Sequence, residues 1–120
     1  MPGTQTLEDF IAAVESNAHV DAIERFYADD ASMRENLGEP RRGRETLMAG
    51  EAAFLKMWKE VRSACVRPAF LDGDKTVIRW VFEFTGQDGV RKRMEELAYQ
   101  RWQGNKIVEE QFFYDPAQMR

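Results

Sequence analysis

Three stretches of alternating polarity, divided by tight glycine turns, constrain this chain more than any other feature. Thr76–Thr85 sends Ile78, Trp80, Phe82 and Phe84 one way and Arg79, Val81 and Glu83 the other. Val90–Trp102 sets Met94, Glu96, Ala98, Gln100 and Trp102 against Glu95, Leu97, Tyr99 and Arg101. Lys106–Tyr114 sets Val108, Glu110, Phe112 and Tyr114 against Ile107, Glu109, Gln111 and Phe113. A period of two places successive side chains on opposite faces of a strand. The turns at Asp72-Gly73-Asp74, Gly86-Gln87-Asp88-Gly89 and Gln103-Gly104-Asn105 are short enough to join antiparallel neighbours. Val61–Leu71 supplies one more strand, and Pro68, having no N–H for a ladder, puts it at an edge or a bulge. The result is an antiparallel meander.

The preceding residues carry a helical period. Met1–Gln5 reads as a loose tail, and Thr6 as an N-cap with Asp9 three residues on. Leu7, Phe10, Ile11 and Val14 form one helical stripe; Asn17 breaks it, and Val20, Ile23, Phe26 and Tyr27 carry a second. Asp29-Asp30 reads as a polar corner, Ala31–Glu35 as a short strand, and the loop after it closes at Pro40 and Gly43. A third helix starts at Gly43-Arg44-Glu45, with Leu47, Phe54, Leu55 and Trp58 on one face. Gly50 costs such a helix up to about 1 kcal/mol relative to alanine, which predicts a close neighbour there. Helices first and a meander after describe a single α+β domain over residues 1–120.

Charge and cysteine usage narrow the functional classes. A net charge of −4 argues against nonspecific binding to nucleic acid or to an anionic membrane. The single cysteine, Cys65, leaves no partner for an internal disulfide and no cysteine-based zinc site. No apolar run has membrane-spanning length, and the acidic N-terminus lacks a signal-peptide layout, so a cytoplasmic location is expected. No metal-ligand spacing, glycine-rich phosphate loop or serine or cysteine nucleophile motif appears, so neither metal nor cofactor is expected. The sheet face opposite the aromatic one mixes Arg79, Glu83 and Arg101 with Val81, Leu97, Tyr99 and Phe113, a composition that predicts a homodimer through the outer face.

The run Ala22-Ile-Glu-Arg-Phe-Tyr-Ala-Asp-Asp-Ala-Ser32, Gly43-Arg-Glu45, and Gly104-Asn-Lys-Ile-Val-Glu109 with an aromatic ending at Tyr114-Asp115 resembles the SnoaL-like and ketosteroid-isomerase-like families of the nuclear transport factor 2-like superfamily. The resemblance spans nearly the whole chain. It implies a cone-shaped curved antiparallel sheet wrapped around N-terminal helices, also described as a cystatin-like α+β barrel, with a deep apolar pocket open at one end. The fold hosts isomerases, cyclases, hydrolases, dehydratases and non-catalytic subunits, so it fixes no single activity. Glu35 falls where ketosteroid isomerases place their proton-shuttling aspartate. Their oxyanion-holding tyrosine would fall near Phe10 or Ile11, and their protonated carboxylic acid near Ala98; none of these side chains donates a hydrogen bond, so ketosteroid isomerisation is not expected.

From the residues themselves, a short strand ending in Glu35 and Asn36 can deliver a carboxylate and an amide into whatever the strands enclose. By parity Glu96, Glu110, Gln100 and Tyr114 point inward, and carboxylates sharing a pocket push each other's pKa apart. The candidate catalytic residues are therefore Glu35, Glu96 and Glu110. The candidate binding wall is Asn36, Phe54, Trp58, Trp80, Phe82, Ala98, Gln100, Phe112 and Tyr114, facing a hydrophobic small molecule. Plainer readings stand beside these. Glu35 can be a solvated strand-end charge, and Glu96 and Glu110 can form cross-strand ion pairs worth about 0.2–1 kcal/mol each. His19 and the Arg41, Arg42 and Arg44 cluster read as solvated, and Cys65 as a small core residue. Two functions follow. One is a cofactor-independent isomerase, cyclase or lyase acting on a hydrophobic carbonyl compound; the other is a non-catalytic ligand-binding or dimerisation module.

Overall fold

The computed structural model describes all 120 residues, and the predicted aromatic stripe becomes the inner face of a curved six-stranded sheet. The elements are α1 (Thr4–Glu15), α2 (His19–Phe26), β1 (Tyr27–Glu35), β2 (Arg41–Arg42), α3 (Arg44–Leu55), β3 (Trp58–Asp72), β4 (Lys75–Gly86), β5 (Arg91–Gln103), β6 (Lys106–Phe113) and a final 3-10 turn, Pro116–Met119. The sheet order is β2-β1-β6-β5-β4-β3, so the meander β3–β6 is antiparallel as expected, with Pro68 on an edge strand where the register also shifts. One pairing departs from an all-antiparallel sheet. β1 lies parallel to β6, because the chain leaves β1 through a helix and the whole meander before returning.

Of the expected tail Met1–Gln5, Thr4 and Gln5 belong to the helix. α1 starts at Thr4 with Gly3 as N-cap, and no side chain caps it. Pro2 and Leu7 occupy the positions of a hydrophobic staple and both are buried. Thr6 is thus inside the helix, its hydroxyl on Asn105 Oδ1 at 3.3 Å, and Asp9 accepts from Gln5 rather than closing a capping box. Asn17 does break the helices, with φ of 67°, a left-handed conformation that asparagine tolerates better than most residues. Asp29 and Asp30 do not form a corner: the strand begins at Tyr27, and the two aspartates ride an exposed irregularity between Tyr27 and Ser32. Trp58 belongs to β3 rather than to the third helix. Gly50 has no close neighbour, since a Cβ there would meet nothing within 4 Å.

The sheet parity holds along β4 and β5, where Ile78, Trp80, Phe82, Phe84, Glu96, Ala98, Gln100 and Trp102 are all buried. On β6 it holds only in part. Arg101 pairs with Glu109 but Trp102 pairs with Ile107, so Val108 is an extra residue. The bulge turns Ile107 inward, fully buried beside Trp102, and leaves Val108 half-buried, the reverse of the simple alternation. Glu110 and Phe112, beyond the bulge, keep the predicted phase. Around Trp102 the core is aromatic: Phe10 meets it edge-on at 6.1 Å and meets Phe26 at 5.5 Å. The outer face leaves Leu97, Tyr99 and Phe113 exposed between the ion pairs Arg79–Glu95, Arg93–Glu95 and Arg101–Glu109. No helix is long and apolar enough to cross a membrane.

The bulge makes a stability prediction that separates two neighbouring residues. Ile107→Ala removes a fully buried side chain and is expected to cost about 2–5 kcal/mol, whereas Val108→Ala costs less than about 1 kcal/mol. Urea denaturation of both variants checks this, and equal losses would contradict the register.

Candidate active site

Between the three helices and the inner sheet face lies a cavity of about 700 Å³, with 17 of its 26 lining residues hydrophobic. Its aromatic wall is continuous. Phe54 meets Trp58 at 6.0 Å, Trp58 meets Phe84 at 5.1 Å, Phe84 meets Phe82 at 6.1 Å, and Phe82 stacks on Trp80 at 5.7 Å. Of the predicted binding wall, Phe54, Trp58, Trp80, Phe82, Phe112 and Tyr114 line this cavity. A smaller hollow of about 370 Å³ beside the Gly86–Val90 turn shares Met57, Trp58 and Lys92 with it but none of the glutamates.

Glu110 sits at the end of a buried polar chain in which each donor points one way. Trp102 Nε1–H donates to Thr76 Oγ1 at 2.9 Å, and the Thr76 hydroxyl donates to Gln100 Oε1 at 2.7 Å. With its oxygen occupied, the Gln100 amide must turn its Nε2–H toward Glu110 Oε2, at 2.5 Å. The Tyr27 hydroxyl donates to the other carboxyl oxygen. Glu110 is only 3% exposed. Loss of water pushes its pKa up to about 7, against the downward pull of the Tyr27 and Gln100 hydrogen bonds; Glu51 and Glu35 add to the rise. Burial first, and Glu110 second, hold the Tyr27 phenol protonated well above its ordinary range.

Glu96 is the contrasting case. It stands directly opposite Trp80 across β4 and β5, is nine-tenths buried, and makes no hydrogen bond to the protein. Removal from water raises its pKa well above the carboxylate range, and Glu110, Glu35 and Glu51 push it further. The cavity therefore holds two buried carboxyls in contrasting surroundings, one hydrogen-bonded and raised to about 7, the other without a partner and raised well above its ordinary value, an arrangement suited to paired base and acid work.

The other predicted residues are distributed differently. Glu35 reaches the cavity, but both its oxygens are held by Arg41, at 2.5 and 3.0 Å. The β1–β2 ladder pairs Met33 with Arg41 and so brings that guanidinium alongside; the bond raises the arginine's own pKa. Asn36 does not line the cavity. Its φ is 51°, its N–H donates to the Phe112 carbonyl, its side-chain oxygen accepts from Tyr114 N at 3.0 Å, and its carbonyl accepts from Gln111 Nε2, so it pins the end of β1 to β6. Ala98 and Gln100 are fully buried behind the wall; Gln100 acts only through Glu110.

Four wall residues escape the sequence reading. Tyr27 reads as part of a helical stripe, and only the parallel β1–β6 pairing brings it to Glu110. Arg41 reads as solvated, yet lines the cavity. His19 is buried, not solvated: Nδ1 lies 3.2 Å from Glu51 Oε1 and Nε2 lies 2.8 Å from Ser63 Oγ. Glu51 carries a legible signal, since it stands four residues after Leu47 and three before Phe54 on the same helical face.

Comparison with known proteins agrees with this geometry. A model of the SnoaL-like domain matches residues 7–110. A Mesorhizobium loti protein named for a SnoaL-like polyketide cyclase is 25% identical with a TM-score of 0.76, over 92% of this chain and 97% of that one. An NTF2-like protein of unknown function from Burkholderia pseudomallei reaches a TM-score of 0.81 at 17% identity, over 96% and 92% of the two chains. TerC, co-crystallised with polyporic acid, reaches 0.79 at 15% identity, over 96% and 92%. At those two identities the likeness is one of fold alone. Among curated proteins none matches. With the domain match covering most of its length, and with the curved sheet and its hollow in place, this chain belongs to the SnoaL-like domain family.

Proposed function

We propose that this chain is an isomerase, cyclase or lyase that works without a cofactor on a hydrophobic carbonyl compound, with Glu110 as base and Glu96 as acid. The observation that carries this reading is the contrast between two buried glutamates on one sheet face, one holding two donors and the other none. Ionised Glu110 takes a proton from the carbon next to the carbonyl. The Glu96 O–H donates to the carbonyl oxygen as negative charge develops there, a service worth about 100- to 1000-fold in rate for one donor. Tyr27 and Gln100 fix the direction of the attacking oxygens, and the aromatic wall excludes water. Glu96 lies two residues from Ala98 on the same face, so it supplies the neutral acid that the sequence comparison finds missing at Ala98. Glu35, paired with Arg41, is assigned to the cavity mouth rather than to the base role. The polyketide-cyclase name of the Mesorhizobium relative supports a cyclase among these reactions.

The experiment follows deuterium wash-in next to the carbonyl of 2-tetralone, a bicyclic ketone of suitable size. Glu110→Gln is expected to slow exchange at least about 100-fold, and Glu96→Gln by about 100-fold. The wild-type rate should rise with pH to a midpoint near 7, where Glu110 ionises. Unchanged exchange in both variants, with ligand affinity also unchanged, is the result expected of a non-catalytic binding module instead.

Stability should run the other way. The folded-state pKa of Glu110 lies above the ordinary carboxylate value, so its contribution is fully present below about pH 4.5 and is lost as pH climbs through about 7. A shift of this size corresponds to a loss on the order of 3 kcal/mol. Glu110→Gln should therefore unfold at a higher temperature than wild type at pH 8 and show little gain at pH 5, read by thermal melts at both values.

The same proposal includes a homodimer through the outer sheet face. It is supported by the exposed Leu97, Tyr99 and Phe113 set among charges of both signs, a surface that an inverted copy of itself can match. Leu97→Glu is expected to shift the sedimenting species from dimer to monomer; a wild-type protein already monomeric at high concentration contradicts it.

A further inference from the structure

Ser63, His19 and Glu51 come from β3, α2 and α3, and nothing in their sequence spacing links them. In the fold they form one line. Ser63 Oγ lies 2.8 Å from His19 Nε2, and His19 Nδ1 lies 3.2 Å from Glu51 Oε1. The imidazole is buried and packs edge-on against Phe82 at 5.7 Å, which fixes its plane. His19 and Glu51 line the cavity wall, whereas Ser63 and Asn17 lie outside it, Asn17 between α1 and α2 and Ser63 on β3. The serine thus stands apart from the cavity that holds Glu96 and Glu110, and its reactivity rests on its own contacts rather than on the function proposed for that pair.

We propose that Ser63 is an acylatable nucleophile, with His19 as its base and Glu51 as the group that positions His19, giving the chain a second activity toward small esters at its outer wall. The order of contacts is the one a nucleophilic serine requires. A carboxylate on Nδ1 selects the tautomer with its proton there, leaving Nε2 free to accept from the Ser63 hydroxyl. That hydroxyl also lies 2.9 Å from Asn17 Oδ1, so its proton has two acceptors in reach.

One backbone donor lies beside the same side chain. β3 is an edge strand, and Cys65 N–H leaves the sheet to donate to Glu15 Oε2 at 3.0 Å. Register is unbroken from Val61 to Val66, so Ser63, two residues earlier, turns its own N–H off the same edge. That N–H is the donor available to a tetrahedral oxyanion.

The step balances as follows. Ser63 Oγ bonds to the ester carbonyl carbon while its proton passes to His19 Nε2. The oxyanion collapses, the carbon–alkoxide bond breaks, and the leaving alcohol takes the proton from His19. Water, deprotonated by His19, then releases the acid and restores Ser63.

Diisopropyl fluorophosphate tests this directly, since Ser63 Oγ would displace fluoride from phosphorus. At pH 8 the wild-type protein is expected to gain one diisopropylphosphoryl group, which peptide mapping places on Ser63. Ser63→Ala should gain none, and Ser16→Ala, a nearby serine outside the line, should label as wild type. His19→Gln should slow labelling at least about 100-fold. Glu51→Gln should slow it less than His19→Gln, with partial recovery in Glu51→Asp, because a carboxylate accepting from Nδ1–H orients the ring. A wild-type protein that stays unlabelled, an adduct mapped to another residue, or full-speed labelling of His19→Gln would overturn the proposal. The mapping on wild type stands even if a variant fails to fold.

Discussion

Taking a carboxyl group out of water is unfavourable unless something replaces the lost hydration, and this cavity answers that demand in two different ways. Glu110 receives replacement donors from Tyr27 and Gln100, while Glu96 receives none, and its pKa rises well above the ordinary carboxylate value. The difference does not come from depth, since both are nearly inaccessible. It comes from what lies on the neighbouring strands. Glu110 has Gln100 across the ladder and Tyr27 from β1, whereas Glu96 has Trp80 across the ladder. An indole face offers a carboxyl bulk and no donor in its plane of contact.

The donors of Glu110 are themselves held in place from further inside. Gln100 could present either end of its amide to Glu110, and only one end donates. Thr76 decides which, because its hydroxyl occupies the amide oxygen, and Trp102 in turn occupies the threonine oxygen. Trp102 stands across the ladder from Ile107, which the bulge at Val108 turns inward. A local irregularity in β6 thus reaches the carboxylate through four side chains. If the same residues alternated without a bulge, Glu110 and Ile107 would lie on opposite faces, and one of them would be outside.

The fold was legible because its determinants are local. Alternation in Thr76–Thr85 and Val90–Trp102, glycine at the turns and the helical stripe around Phe10 each act within a few residues. Glu96 and Glu110 were legible for the same reason. What the sequence hid depends on contacts between distant segments. Tyr27 looks helical beside Phe26 and reaches Glu110 only through a parallel pairing across some eighty positions of chain. Asn36 looks like a ligand because it follows Glu35, yet its left-handed backbone spends the amide on Tyr114 N–H. His19 looks solvated at a helix start, and only the approach of α3 and β3 buries it. The Val108 bulge leaves no mark in composition at all.

The pairing of Glu35 with Arg41 bears on chemistry even though the base role proposed above goes to Glu110. Four glutamates line the cavity, and its basic side chains are Arg41, Lys92 and His19. Arg41 is held by Glu35, His19 lies against Glu51, and Lys92 donates to the Met119 carbonyl at 2.7 Å. Each base is thus committed before it can reach Glu96 or Glu110. A free cation beside either would draw its pKa down by favouring the charged form, and both carboxyls would then ionise together. The wall's basic groups are thus held by Glu35, Glu51 and the Met119 carbonyl, and the contrast between Glu96 and Glu110 is left to their own neighbours, Trp80 on one side and Tyr27 and Gln100 on the other.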